Sequence, residues 1–141
     1  MKRHPALAPL SRDHHHALVA ARALCRANRE EASRAAQQFL AFWEADGQAH
    51  FRVEEELLLP AYAVHGDPRH PVVVQTLVDH MTIRRDANIA ASGAPVETLQ
   101  GLGVHLAAHV RLEERELFPL VERTLPEVDL AALGARLAAA A

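Results

Sequence analysis

Apolar positions fall into four long stretches with helical spacing, separated by short breaks of Gly, Pro, Ser and Asp. The first, about 10–28, carries Leu10, Leu18, Ala21, Leu24 and Cys25, with Pro5 and Pro9 at its start and Asn28 at its end. A second, about 32–64, carries Phe39, Leu40, Trp43, Phe51, Leu58 and Tyr62 before His65-Gly66-Asp67-Pro68 breaks it. Pro60 lies late in that stretch; lacking an amide donor and crowding the carbonyl four residues back, it predicts a kink. The third, about 71–91, opens on Pro71 and runs through Val74, Leu77, Ile83 and Ala87 to Ser92-Gly93-Ala94-Pro95. Val72-Val73-Val74 could open a strand instead, but no second strand exists to pair with it. A fourth, about 96–123, holds Leu102, Leu106, Val110, Leu117 and Leu120, with Pro119 as late in it as Pro60 is in the second. Asp129 is a plausible cap for a short fifth helix, about 129–139. Short connections between four helices predict an all-α, antiparallel up-down-up-down four-helix bundle with a short C-terminal fifth helix, one domain over residues 1–141.

Composition narrows the function classes. A chain of 141 residues, half of them hydrophobic, is sized for one core. Its net charge of -3 offers no basic footprint, so nucleic acid is not an expected partner. No uncharged run approaches the roughly 18 apolar residues of a membrane span. Cys25 is the single cysteine, and the charged start Met1-Lys2-Arg3-His4 does not read as a secretory signal, so a cytoplasmic location is expected. Ten histidines are the unusual entry.

Their placement is ordered. The segment His50-Phe51-Arg52-Val53-Glu54-Glu55-Glu56-Leu57-Leu58-Leu59-Pro60 matches His109-Val110-Arg111-Leu112-Glu113-Glu114-Arg115-Glu116-Leu117-Phe118-Pro119 at six of eleven positions, at an offset of 59. Asp13-His14 is echoed by Asp79-His80. The chain therefore reads as a doubled helical hairpin, each half supplying one His and then one His-x-x-x-Glu. Residues four apart share a helix face about 6 Å apart in rise, so His50 with Glu54 and His109 with Glu113 can reach a common centre.

Whether the four faces meet follows from hairpin arithmetic, since residues equidistant from a turn sit at one height. The midpoints are 94.5 for His80 and His109, 65 for His50 and His80, and 32 for His14 and His50; each falls in or beside a predicted break. Four imidazoles and two carboxylates buried at one level are costly without a partner. Metal ions remove that cost. Mixed nitrogen and oxygen donors suit iron, manganese or zinc, and two carboxylates from opposite helices can bridge two ions. With an additional oxo or hydroxo bridge, about ten of about twelve octahedral positions are filled, and the rest are open to a small molecule.

These residues resemble the hemerythrin-like proteins, specifically the HHE cation-binding domain with its H, HxxxE, H, HxxxE pattern. The likeness spans His14 to Glu113. It implies a four-helix bundle with a non-haem di-iron centre (Fe2+/Fe3+) and a bridging oxygen, which binds, senses or reacts with dioxygen, nitric oxide or peroxide. One iron is then assigned to His14 and His50, the other to His80 and His109, with Glu54 and Glu113 bridging. Oxygen-carrying hemerythrins have a fifth histidine on the third helix, where this chain has Thr76 and Arg84; reversible oxygen carriage is thereby put in doubt. His105, one turn before His109, is a candidate fifth imidazole for the first iron.

Other readings stand beside these. Of His14, His15 and His16, His14 shares a face with Ala17, Leu18 and Ala21, and His15 is the next candidate. His80 shares a face with Leu77, Ile83 and Ala87. Glu55 and Glu114 sit off the ligand face and suit salt bridges with arginine better than coordination. Tyr62 reads as a core residue with a phenolate ligand as the sharper alternative, and Cys25 as a small buried hydrophobe. His4, His65 and His70 lie in tail or loop and read as solvated. Two functional rivals to a ligand-binding module follow: a redox enzyme that consumes peroxide or oxygen or assists iron-sulfur repair, and a zinc- or iron-stabilised structural bundle. No nucleotide-binding glycine loop or cysteine relay is present in the sequence, so turnover needs an external reductant.

Overall fold

The structure, a computed structural model, describes residues 2–140. A single 3-10 turn, Pro5–Leu7, leads into helix α1, Ala8–Arg26. Helix α2 is one continuous run, 32–63, in which α-helical pieces Ala32–Phe42, Gln48–Val53 and Leu59–Ala63 alternate with wide π turns at Trp43–Gly47 and Glu54–Leu58. Helix α3 is Pro71–Ala91. Helix α4, 96–124, joins Val96–Leu112 to Phe118–Thr124 through a third π turn, Glu113–Leu117. Helix α5 is Glu127–Ala140. Among the described residues there is no strand, and no helix is long and apolar enough to cross a membrane.

Side-chain pairs between neighbouring helices run in opposite numerical order. Asp13 meets His50 while His16 meets Asp46; His80 meets Glu55 while Arg84 lies over Phe51; Asp79 meets His109 while Asp86 faces His105. Consecutive helices are therefore antiparallel, and α1 also packs against α4 to close the ring. The fifth helix lies against the Pro5–Leu7 turn and the second wide turn of α2.

Two apolar clusters fill the interior. One is built from Leu24, Phe39, Trp43, Ile83, Leu99, Leu102 and neighbours; the other gathers Leu7, Leu58, Tyr62, Leu117, Phe118 and the inner face of α5. The histidines and glutamates of the repeat lie between them.

The wide turns explain a pattern that an ordinary helix cannot sustain. Buried positions in α2 step by four at Ala35, Phe39, Trp43 and Gly47, and again at His50, Glu54, Leu58 and Tyr62. In an α-helix four residues overshoot a full turn by about 40°, so such a stripe would spiral off the core within a few steps. Each π turn absorbs one extra residue and brings the stripe back. Two of them end directly before a proline: Leu59 N–H donates to the Glu54 carbonyl ahead of Pro60, and Phe118 N–H to the Glu113 carbonyl ahead of Pro119. Where a kink is expected at Pro60 the helix carries a widened turn, and Pro119 follows another; each gives the ring room against the preceding carbonyls.

The repeat also reaches the helix starts. Arg3-His4-Pro5 and Arg69-His70-Pro71 share the 66-residue offset of the two Asp-His pairs, and in both the His Nδ1 accepts a backbone N–H two residues on, from Ala6 and Val72. These two histidines are helix caps rather than solvated loop residues. Other expectations change as well. Leu18 and Leu77 are exposed, at 38% and 42%, and the buried neighbour of His80 is Thr76. Cys25 is exposed rather than buried. Asp129 lies inside the first turn of α5 and pairs with His65, because the helix begins at Glu127, three residues earlier than its capping role required.

Two glycines are fixed by geometry. Gly93, after α3, has φ +89°, a conformation side chains disfavour. Gly103 is where α4 meets α1 backbone to backbone: a Cβ there would stand 2.7 Å from the Ala21 carbonyl oxygen and 2.9 Å from the Cys25 nitrogen. Gly101, one turn-fraction away in the same helix, has nothing within 4 Å. Gly101→Ala is expected to stabilise the protein by about 0.5–1 kcal/mol through helix propensity. Gly103→Ala should instead destabilise it by about 1–2 kcal/mol, the overpacking penalty exceeding the same gain. Denaturant unfolding of the two variants measures both signs.

Candidate metal centre

The wide turns at Glu54–Leu58 and Glu113–Leu117 begin on the two glutamates of the repeat, so each carboxylate leaves its helix just where the turn opens. Both have no exposed surface, and His14, His50, His80 and His109 are 1–7% exposed. The six side chains form two sets of four: His14, His50, Glu54 and Glu113, and Glu54, His80, His109 and Glu113. Within each set one donor atom per residue lies within 4.8 Å of all the others.

The two carboxylates belong to both sets, and their individual oxygens divide between them. Glu54 Oε2 is 3.1 Å from His50 Nε2, whereas its Oε1 is 3.1 Å from His80 Nε2. Glu113 Oε1 is 2.8 Å from His14 Nε2, whereas its Oε2 is 3.0 Å from His109 Nε2. This is the disposition of two bridging carboxylates, each with one oxygen turned to either side.

Every ring is anchored from behind. His14 Nδ1 lies 2.6 Å from Glu114 Oε2, and His80 Nδ1 lies 2.6 Å from Glu55 Oε2. His50 Nδ1 is 3.1 Å from Asp13 Oδ2, and His109 Nδ1 is 3.0 Å from Asp79 Oδ2. A carboxylate can only accept, so each Nδ1 carries a proton, and a ring that gives up its second proton turns the Nε2 lone pair inward. Phe51 stacks on His80 at 3.8 Å and 7°, and Phe118 on His14 at 5.5 Å and 3°, which fixes ring planes as well.

Apart from His14 Nε2 and Glu113 Oε1, which are hydrogen-bonded at 2.8 Å, the inner atoms are not satisfied by one another. Nε2 of His50, His80 and His109, both oxygens of Glu54 and Oε2 of Glu113 are buried with no hydrogen-bond partner, although several approach within 3.0–3.1 Å. Close approach without hydrogen-bond alignment, among atoms that are all good metal donors, fits cations placed between them. The buried nitrogen and oxygen donors fit a metal centre.

Proton affinities show the same pressure. Burial opposes charge on the His80 ring, but Glu113 and Glu54 outweigh it and raise its pKa to about 9. For His109 burial is likewise outweighed, by Glu113 first and then Asp79, and the pKa rises to about 10. His14 and His50 are also raised against burial, by Glu113 and by Glu54 respectively. Glu113 is held well below the usual carboxylate range, burial being overcome chiefly by His109.

Some candidates lie elsewhere. His15 is exposed on the outer face of α1. His105 is a correction: its side chain is 52% exposed and its Nδ1 faces Asp86 Oδ2 on α3 at 3.6 Å, apart from both sets of inner donors. Tyr62 is buried in the apolar cluster, its hydroxyl donating to the Asp67 carbonyl. The sequence reading missed Asp13, Asp79, Glu55 and Glu114 as ring anchors. Their signal was present in the repeat, where an Asp precedes His14 and His80 and a second Glu follows Glu54 and Glu113.

A cavity of about 10 Å³, room for one water-sized molecule, lies beside His14, His50 and His109. Its remaining wall is largely apolar, with Ala17, Phe42, Trp43, Phe51, Leu106 and Val110.

A search of curated proteins and a search of solved structures each returned no match. The family model described as the hemerythrin HHE cation binding domain matches residues 7–121, a span that contains all six inner residues and their four anchoring carboxylates. The chain belongs to the hemerythrin HHE family and is a metal-binding protein.

Proposed function

We propose that the protein holds a pair of iron ions, one with His14 and His50, the other with His80 and His109, bridged by Glu54 and Glu113, and that the pair binds, senses or reacts with a small ligand such as dioxygen, nitric oxide or peroxide. The observation that carries this reading is the division of each buried carboxylate between two sets of imidazoles. A single structural ion would need one such set. Manganese or zinc can occupy the same donors, but iron suits a mixed imidazole and carboxylate site that leaves positions open.

Iron bound there supplies one-electron redox chemistry and free coordination positions for the ligand. The chain's own residues do the rest. Asp13, Glu55, Asp79 and Glu114 keep the Nδ1 protons in place, so the rings present Nε2 inward in fixed orientation. The two apolar clusters shield the layer from above and below, and the small cavity admits a molecule of few atoms next to three of the imidazoles. An external reductant and a cytoplasmic setting complete the reading; the exposed single Cys25 suits a reducing compartment.

Protein prepared from iron-replete cells is expected to contain about two iron ions per chain. Its absorption spectrum in air should show the charge-transfer bands of an oxo-bridged ferric pair, bleached by reduction. Less than one equivalent of any metal overturns the proposal. Loading of metal-stripped protein should also release protons at neutral pH, since His80 and His109, with pKa values of about 9 and 10, must give up a proton to coordinate. Calorimetry in buffers of different ionisation heat counts them, and the count should fall as pH rises through 9 and 10. Raised ring pKa values stabilise the stripped fold fully below 6.5, and that contribution is lost as pH climbs through 9 and 10. Thermal melts of stripped protein should therefore fall across that window while those of loaded protein hold.

A further inference from the structure

Behind the carboxylates that anchor the rings stands a third layer, and it is unequal. Glu55 Oε2 accepts from His80 and, at 2.6 Å, from Arg84 NH1. Glu114 accepts from His14 and Ser11 through Oε2, while its Oε1 lies 3.3 Å from Arg3 NH2. Arg3 also donates to the Glu114 backbone carbonyl at 2.6 Å and to Glu122 at 3.0 Å. Asp13 and Asp79, which anchor the other two rings, have no arginine; the additional partner of Asp79 is Gln75.

The two arginines are placed alike. Arg84 lies over the Phe51 ring, 5.6 Å from its centre, and Phe51 is the ring stacked on His80. Arg3 lies over Phe118 at 5.2 Å, and Phe118 is the ring stacked on His14. Each guanidinium thus reaches one histidine twice, through a carboxylate and across an aromatic face. The repeat does not account for this: at its 66-residue offset the counterpart of Arg3 is Arg69, which is exposed, and the matching role is filled by Arg84 from α3.

We propose that Arg3 and Arg84 are positioning residues that weaken the pull of Glu114 and Glu55 on the Nδ1 protons of His14 and His80, so that one histidine in each set of four is a poorer electron donor than its partner. This rests on the metal reading above. A carboxylate paired with a guanidinium is a weaker hydrogen-bond acceptor, and a ring whose Nδ1 proton is held less strongly toward an acceptor carries less electron density to its Nε2. The shorter, same-oxygen contact makes Arg84 the stronger of the two. The ion pair as a whole is held at a higher reduction potential than its donor set alone would give.

The test uses the full chain loaded with zinc, and separately with iron, in wild type, Arg84→Gln, Arg3→Gln and Arg85→Gln. Arg85 is the control, an adjacent cation on α3 whose partner is Asp86. In zinc-loaded protein with nitrogen-15-labelled histidine, the ring N–H resonance of His80 should move downfield in Arg84→Gln, and that of His14 should move by less in Arg3→Gln. The resonances of His50 and His109 should stay in place, and Arg85→Gln should shift none. In iron-loaded protein, Arg84→Gln should have a lower reduction potential than Arg85→Gln. An unmoved His80 resonance in Arg84→Gln, equal movement of all four rings, or matching potentials in Arg84→Gln and Arg85→Gln overturns the inference while leaving the metal pair standing. Failure of the wild type to take up either metal is a different result, seen before any variant is compared, and overturns both.

Discussion

Two carboxylates with no contact with water, at the middle of a bundle otherwise lined by leucine, alanine and phenylalanine, set the terms for everything around them. Ionised carboxylates in such a place require compensation. The chain supplies four imidazoles at the same level, one from each of the four long helices, and behind them four more carboxylates. That second group holds the Nδ1 proton of every ring, which supports the charged ring when no metal is bound and leaves each Nε2 turned toward the centre. The polarity of the whole layer alternates outward from the centre: cation position, carboxylate and imidazole, carboxylate, and at two places arginine.

The doubled hairpin makes this economical. One half supplies an Asp-His pair and a His-x-x-x-Glu-Glu segment, and the other half supplies the same. Anchoring is crossed between elements: Asp13 on α1 holds a ring on α2, and Asp79 on α3 holds one on α4. Glu55 on α2 holds a ring on α3, and Glu114 on α4 holds one on α1. Each of the four contacts between neighbouring long helices thus contains at least one carboxylate-imidazole hydrogen bond, and the ring of helices is closed by the same interaction that orients the ligands. Binding and folding are therefore one problem in this protein, as in other bundles whose sites are built on facing helices.

Much of this was legible in the chain because its strongest signals are periodic. The helices, their order and the common level of His14, His50, His80 and His109 follow from apolar spacing and from turns at Asn28, Gly66 and Gly93. What escaped was of two kinds. Exposure of Leu18, Leu77 and Cys25 depends on where a helix face ends, and small apolar residues such as Ala17, Ala20 and Ala21 already satisfy the close contact between α1 and α4 without them. The roles of Asp13, Asp79, Glu55 and Glu114 depend on rotation between elements, so a residue off the ligand face of its own helix can still lie against the ligand of the next. His105 shows the converse: correct spacing from His109 along one helix is not proximity to the centre, because its half-exposed ring turns to Asp86 at another level of α3.

The strict four-residue stride of α2 and α4 has one more implication, for the kinds of change the gene can absorb. Substitutions at exposed positions within the wide turns, Glu56 or Arg115 for instance, leave the path of the backbone alone. Losing a single codon there would remove the extra residue and restore ordinary pitch with Leu58 and Tyr62, or Leu117 and Val121, still on the buried stripe, but it would take away the room that Pro60 and Pro119 have against the preceding carbonyls. The extra residue in those stretches serves the prolines that follow, not the direction in which the rest of the helix faces.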